Sequence, residues 1–236
     1  MDLRGPEDLS RKDSRDYFET VAPEWDRIRS AFYSERVREA AFARAGVRAG
    51  QLAADVGAGT GFVTEGLLAR GVRVIALDPS RAMLGELARK FGRRDLLLPI
   101  QADGERLPLD SGSVDLAFAN MMLHHAPDPA AAIAEMARVL VPGGALAVTD
   151  LDLHSHAFLL EEHHDRWPGF DRGEVARWFA AAGLVHVSIE PAPEPCCGES
   201  CSSGEKVTIG IWIACGKKGR QRSREGGRRR TPRSRG

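Results

Sequence analysis

Strands and helices that alternate around one glycine-rich turn predict an α/β domain, a mostly parallel, doubly wound sheet with helices on both faces. Three stretches carry that prediction. The apolar run Leu52–Val56 drives into Gly57-Ala58-Gly59-Thr60-Gly61, and a helical period resumes at Phe62, Leu67 and Leu68. In such a strand–turn–helix junction, glycines let backbone N–H groups approach a ligand closely. Residues 72–77 read as a second strand closing on Asp78, where an acidic side chain can accept from a ribose diol. Residues 114–119 are apolar enough, and continuous enough, for a central strand.

Residues 1–13 read as a loose polar leader. From Ser14 onward Tyr17, Phe18, Val21, Trp25 and Ile28 recur, with Pro23 interrupting them, so a short helix, a break and a turn are expected. Ser34 suits the N-cap of a second helix (Val37, Ala40, Ala41, Ala45) that stops at Gly46. Both helices precede the first strand and predict an N-terminal helical cap within residues 1–45. Past Asp78, Pro79-Ser80 opens a helix with Met83, Leu84, Leu87, Ala88 and Phe91 on one face. Residues 96–101 form a short third strand despite Pro99, followed by Ala102-Asp103-Gly104-Glu105. The strand at 114–119 leads into Asn120-Met121-Met122-Leu123-His124-His125, and Asp128-Pro129 opens an alanine-rich helix ending at Leu140. Val141-Pro142-Gly143-Gly144 reads as a turn, 145–149 as a fifth strand reaching Asp150, and 173–182 as a helix. Strands at 184–189 and 206–214 complete the series, and no internal repeat is visible.

Glycine spacing separates two kinds of ligand. A dinucleotide fingerprint is G-x-G-x-x-G, whose third glycine lets a helix pack near a pyrophosphate. Here Phe62 stands where that glycine would fall, and Asp55 stands two residues before Gly57. A carboxylate there suits a ligand carrying positive charge and repels a pyrophosphate. In this acid-x-Gly-x-Gly-x-Gly motif the sequence resembles the class I S-adenosylmethionine-dependent methyltransferases, over roughly residues 14–216. The resemblance implies a Rossmann-like, seven-stranded sheet in the order 3-2-1-4-5-7-6 with strand 7 antiparallel, formed by residues 46–216. Ligand is then expected outside the carboxyl ends of strands 1 and 4.

The cofactor so implied is S-adenosylmethionine, which has a sulfonium, an amino group and a ribose but no phosphate. Gly57, Ala58, Gly59 and Gly61 are then assigned to close backbone approach, and Asp78, with Pro79 beside it, to the ribose hydroxyls. Asp55 orients the glycine loop and the amino-acid end. Asp103, flanked by Gly104, is the adenine candidate, and Asn120 and Met121 lie near the methionine moiety. By the same resemblance Tyr17 or Trp25 of the cap faces the pocket. Methyl transfer is an in-line displacement that rests mainly on positioning, so no nucleophilic residue is required. His124 and His125 lie where substrate should enter, and either imidazole could serve as a general base.

Two further clusters carry metal-binding chemistry. Asp150, Asp152, His154, His156, Glu161, Glu162, His163, His164 and Asp165 follow the fifth strand, yet without HExxH or a comparable ligand spacing. They read as a substrate-side loop and helix, and no metal is assigned to them. Cys196, Cys197 and Cys201 lie in a Pro/Gly/Ser loop where mobile thiols suit soft ions. Some methyltransferases of this broad fold methylate trivalent arsenic held by cysteines, but those also use cysteines further toward the N-terminus, and this chain has none before Cys196. Cys215 reads as a buried small hydrophobe.

The 33 basic and 33 acidic residues cancel, but ten of the basic ones lie in 217–236 beside a single acid, Glu225. That tail cannot bury a core and reads as a disordered, solvated extension rather than a nucleic-acid-binding segment. No apolar run reaches the length of about 18 residues that a membrane span needs, and the charged start lacks a signal core. The expectation is a cytoplasmic enzyme that methylates a small molecule, of the broad group that includes ubiquinone- and menaquinone-type enzymes. Thiol-assisted arsenic methylation and a non-catalytic cofactor sensor are the alternatives.

Overall fold

The computed structural model of the chain describes residues 7–92, 95–200 and 202–219. Its N-terminal part is helical: α1 (Glu7–Val21), a 3-10 turn, α2 (Trp25–Ser30) and α3 (Arg36–Ala45). The first helix begins inside the stretch read as a leader. Ser34 Oγ accepts from Arg36 N at 3.3 Å at the start of α3, and Gly46 closes that helix in the left-handed conformation (φ 72°). There follow β1 (Leu52–Val56), α4 (Phe62–Leu68), β2 (Arg73–Asp78), α5 (Arg81–Phe91), β3 (Leu97–Gln101) and β4 (Val114–Asn120). The second half contains α6 (Pro129–Val139), β5 (Leu140–Leu151), α7 (Ala157–Glu162), α8 (Arg172–Ala181) and β6 (Leu184–Pro191). It ends with β7 (Cys196–Glu199), β8 (Lys206–Ile209) and β9 (Ile211–Lys218).

Seven strands form one sheet in the order β3-β2-β1-β4-β5-β9-β6, with β9 antiparallel to both neighbours. As the last strand of that sheet, β9 fills the place expected of strand 7. One face packs Phe42, Leu67 and Phe118 under α3 and α4; the other packs Ile133, Met136, Phe179 and Trp212 under α6 and α8. Trp212 is fully buried, and its indole N–H donates to Leu151 O at 2.9 Å. Pro99 is tolerated because β3 is an edge strand that pairs only with β2. Ser80, Asp128 and Asp171 cap α5, α6 and α8 with their side-chain oxygens.

Two expected boundaries are corrected. The turn at 141–144 is absorbed into β5, across a register shift against β4 between Val114 and Leu116. The run 206–214 is two strands, split at Gly210. A β-carbon there would collide with the Asp152 carboxylate, and Asp152 N donates to Gly210 O at 2.8 Å. The backbone therefore crosses close over Asp152, and β8 leaves the main sheet to pair with β7 in a separate hairpin.

The helical cap is tied to the carboxyl ends of the strands. Glu19 of α1 accepts from Arg81 N (2.7 Å) and Ala82 N (3.1 Å) at the start of α5. Asp26 of α2 takes Lys90 at 2.7 Å and the Thr60 hydroxyl at 2.7 Å.

Candidate active site

A cavity of about 650 Å³ opens between the cap and the ends of β1, β2 and β4. It is lined by Asp55, Gly57, Ala58, Gly59, Asp78 and Pro79, and by Asp103, Gly104, Asn120, Met121, Trp25 and His125. Twelve of the residues singled out from sequence thus share one wall or another of this cavity.

Most N–H groups of the glycine turn are held by the chain itself. Gly57 N and Ala58 N donate to Leu77 O (2.8 and 3.0 Å), Gly59 N to the Asp78 carboxylate (2.8 Å) and Gly61 N to Ala58 O (2.9 Å). Those four N–H groups are engaged within the fold, so at these positions the turn contributes shape rather than donors. Gly57, at φ 70°, leaves room for the Met122 side chain, which a β-carbon would strike. Gly61 does not line the cavity; at φ 96° its would-be β-carbon lies 2.5 Å from the Phe91 ring, so it packs α4 against α5.

Both carboxylates at the strand ends are buried. Burial pushes Asp55 up to about 7, even though the Thr64 hydroxyl donates to it at 2.6 Å. Asp78 is likewise raised by burial, to about 6, with the amides of Ser80 (2.9 Å) and Gly59 opposing the rise. Asp103 is more exposed and receives Arg15 Nη2 from α1 at 2.9 Å. Asn120 is held by its neighbours: its amide N–H donates to the Tyr33 hydroxyl (3.0 Å), and its carbonyl accepts from Thr149 (2.7 Å). Met121, at φ 53°, holds a left-handed conformation that non-glycine residues rarely adopt, as Met121 N donates to Thr149 O.

The profile described as "Methyltransferase domain" matches residues 54–148, the segment from β1 through β5 that builds this cavity. An uncharacterized methyltransferase of Mycobacterium bovis is 44% identical over 94 residues, covering 40% of this chain and 37% of its own length. The ubiquinone biosynthesis O-methyltransferase of Methylococcus capsulatus is 32% identical over 157 residues, 60% of this chain and 66% of that one. A chain from the complex between the Haloferax volcanii Trm112 methyltransferase activator and a methyltransferase superposes with a TM-score of 0.71. It is 22% identical and covers 88% of this chain and 98% of its own. The chain has the fold of the class I methyltransferases, and its residues 54–148 match a methyltransferase domain. The aligned part spans 37% of the length of the mycobacterial relative, and the likeness to the Haloferax chain is one of fold.

A second, smaller pocket of about 60 Å³ adjoins the first. The two share Trp25, Tyr33, Met121 and His125. Tyr17, expected against the cofactor, lines the smaller pocket instead. His124 does too, and its Nδ1 bonds Asp150 Oδ1 at 2.7 Å. Burial draws the His124 pKa down, but Asp150 and Asp165 outweigh it and raise it to about 9. His125 departs the other way: burial, then the positive field of His124, holds it well below the usual histidine value. The histidines that sequence alone could not tell apart therefore sit in opposite electrostatic surroundings.

The post-β5 cluster disperses. Asp152 pairs with Arg172 at 2.7 Å and His156 faces Glu205 at 3.6 Å, while Asp150 bonds His124 and Asp165 lies against both His124 and His125. Among the described residues, Cys196 and Cys197 do not converge either. On the extended β7, Cys196 is buried toward the smaller pocket while Cys197 is exposed, as side-chain alternation requires. Cys201 and residues 220–236 of the basic tail lie outside the described residues.

Arg29 and Tyr33 of the cap were missed from sequence. The Arg29 guanidinium is buried over the Phe62 ring (4.1 Å to the centroid), donates to Tyr33 O at 3.2 Å, and leaves Nε without a partner. The available signal was spacing: Arg29 falls four residues after Trp25, on the same helix face.

Proposed function

We propose that this methyltransferase binds S-adenosylmethionine in the larger cavity and methylates a small molecule whose reacting end enters the smaller pocket. The observation that carries this reading is the pairing of two buried carboxylates with a glycine loop whose Gly57, Ala58, Gly59 and Gly61 N–H groups are already engaged. Such a wall suits an ammonium and a vicinal diol and offers little to a pyrophosphate. The buried, partly unpartnered Arg29 adds a cation suited to the amino-acid carboxylate.

When bound, S-adenosylmethionine supplies a methyl group already activated on a sulfonium. The chain's own residues have to hold, orient and exclude water. Asp78 accepts from the ribose hydroxyls and Asp103 from the adenine amino group, Arg15 being displaced from an ion pair that is half-exposed and worth little. Asp55 and Arg29 hold the amino-acid end, while Phe18 and Trp25 of the cap cover the cavity. Alignment of this kind supplies roughly 7–11 kcal/mol in favourable cases. His125 is the stronger base candidate of the two histidines. Its Nδ1 lies 3.2 Å from the His164 carbonyl, which can only accept, so the proton is on Nδ1 and Nε2 keeps a lone pair. The aromatic walls of the smaller pocket (Tyr17, Phe32, Tyr33) favour a flat or apolar acceptor.

Calorimetry with S-adenosylmethionine, S-adenosylhomocysteine and NAD tests the cofactor assignment. Binding of the first two at about micromolar Kd, near −8 kcal/mol, with no heat from NAD, is the expected result. Binding of NAD alone would overturn it.

Cofactor affinity should also depend on pH. Asp55 and Asp78 titrate near 7 and 6 in the folded protein, above the usual carboxylate value, so both are largely protonated at pH 5.5. Ligand groups that donate to carboxylates then lose their acceptors. Affinity for S-adenosylhomocysteine should rise more than about tenfold from pH 5.5 to 8 and then level off, with proton release on binding near pH 6. Buffer-dependent calorimetric enthalpies read that release; a flat affinity over the range would show that neither carboxyl touches the ligand.

A further inference from the structure

Sequence places His124 and His125 after β4 and Asp165 after α7, yet the fold brings them to one point. The donor atoms of these three all lie within 4.8 Å of one another, and no other such group of His, Cys, Asp and Glu occurs among the described residues. Asp165 Oδ1 is 3.8 Å from His124 Nε2 and 3.8 Å from His125 Nε2. We propose that His124, His125 and Asp165 form a site for a divalent first-row transition metal, with a coordination position open to the smaller pocket.

Four observations support it. Each imidazole is held from behind through Nδ1, His124 by the Asp150 carboxylate at 2.7 Å and His125 by the His164 carbonyl at 3.2 Å. That is the outer-shell support by which metal-ligating histidines are oriented with Nε2 forward. The two loops that supply the ligands are joined by backbone hydrogen bonds: Arg166 N and Trp167 N both donate to His124 O, at 2.8 and 3.0 Å. The Trp167 indole N–H fixes the next turn by donating to Ala126 O at 2.8 Å. His124 and Asp165 are buried and His125 nearly so, which protects a bound ion from competing solvent.

Distances and donor chemistry agree. Metal–ligand bonds of about 2.0–2.2 Å put tetrahedral donor atoms about 3.4 Å apart, so each 3.8 Å separation between Asp165 and an imidazole closes with a shift of a few tenths of an ångström. Two imidazoles and one carboxylate select zinc, iron or cobalt over magnesium and calcium, which prefer all-oxygen shells. The open position faces a pocket walled by Tyr17, Phe32 and Tyr33, where His163 Nε2 is buried without a hydrogen-bond partner. A metal there uses the His125 lone pair, and an acceptor oxygen bound to it would be ionised by the cation instead of by imidazole. The site stands independently of which cofactor fills the larger cavity.

The untagged full-length chain, stripped with a chelator, is titrated with Co²⁺ and then Zn²⁺. One equivalent of Co²⁺ should bind with the intense visible absorption of a four- or five-coordinate centre, release protons, and be displaced by Zn²⁺. Zn²⁺ should raise Tm. His125→Gln and Asp165→Asn should each weaken Co²⁺ binding more than about a hundredfold, with thermal melts confirming that both variants fold. The Cys196→Ser, Cys197→Ser, Cys201→Ser triple variant should bind as wild type does. Absence of Co²⁺ binding, equal affinity in the folded His125→Gln and Asp165→Asn variants, or loss of binding in the thiol variant would each overturn the site.

Discussion

Asp78→Ala is expected to weaken S-adenosylhomocysteine binding at least about a hundredfold while leaving the chain folded. The carboxylate ends β2, is buried on the cavity wall, and already accepts from Gly59 N and Ser80 N. Those two amides fix its orientation, so its remaining lone pairs face the cavity at little cost in order. Hydrogen bonds to a charged group are worth about 1.5–3 kcal/mol each, and two ribose hydroxyls would lose theirs together. At about 1.4 kcal/mol per tenfold, the lower bound is already a hundredfold. Losing the carboxylate also frees Gly59 N, so part of the effect would come through the loop. Asp78→Asn separates the two contributions, because the amide oxygen can still accept from Gly59 N but carries no charge. Calorimetry should order the affinities wild type, Asn, Ala. An Ala variant that binds within about threefold of wild type would remove Asp78 from the cofactor site.

What was legible in the sequence was what is local. Leu52–Val56, the turn after it and Asp78 are consecutive or joined by one helix, so their spacing carries their geometry. Asp103 follows β3 directly, and Asn120 ends β4, which put both at the same sheet edge as Asp78 once the strand order was inferred. Contacts between distant segments were not legible. Nothing in residues 150–165 says which carboxylate turns toward the 3-10 turn at Leu123–His125, since that depends on how the loop after β5 packs against it. The engagement of Gly57 N and Ala58 N by Leu77 O follows from how β1 lies against β2, a pairing that a glycine pattern does not encode. The divergence of Cys196 and Cys197 needed the knowledge that residues 196–199 are extended. The β-branched run at 206–214 hid its break because Gly210 is required by Asp152, far away in sequence.

Asp150→Ala is expected to cost about 3–5 kcal/mol of stability, the largest effect of any single substitution near the site. Asp150 is fully buried near the end of β5, between β4 and β9. One oxygen bonds His124 Nδ1 (2.7 Å) and accepts from Leu151 N (2.8 Å); the other accepts from Leu123 N (2.9 Å), with His124 N more distant at 3.4 Å. Removing it leaves an imidazole N–H and two or three buried amides without their acceptor. Each such buried donor costs about 1–3 kcal/mol. For a chain of this size about 1 kcal/mol moves Tm by roughly 2–4 °C, so Tm should fall by about 10 °C. Asp150→Asn should cost less, since its one carbonyl oxygen can still serve part of the set. In the double variant with His124→Ala the losses should be smaller than their sum, because the two side chains share one interaction. The consequence reaches both cavities: Leu123 and His124 follow directly on Asn120, Met121 and Met122, so the turn that Asp150 anchors carries the wall between them. S-adenosylhomocysteine affinity in Asp150→Ala should therefore drop less than in Asp78→Ala although its stability drops more. Equal or reversed losses in binding would mean that Asp150, rather than Asp78, governs the geometry of the cofactor cavity.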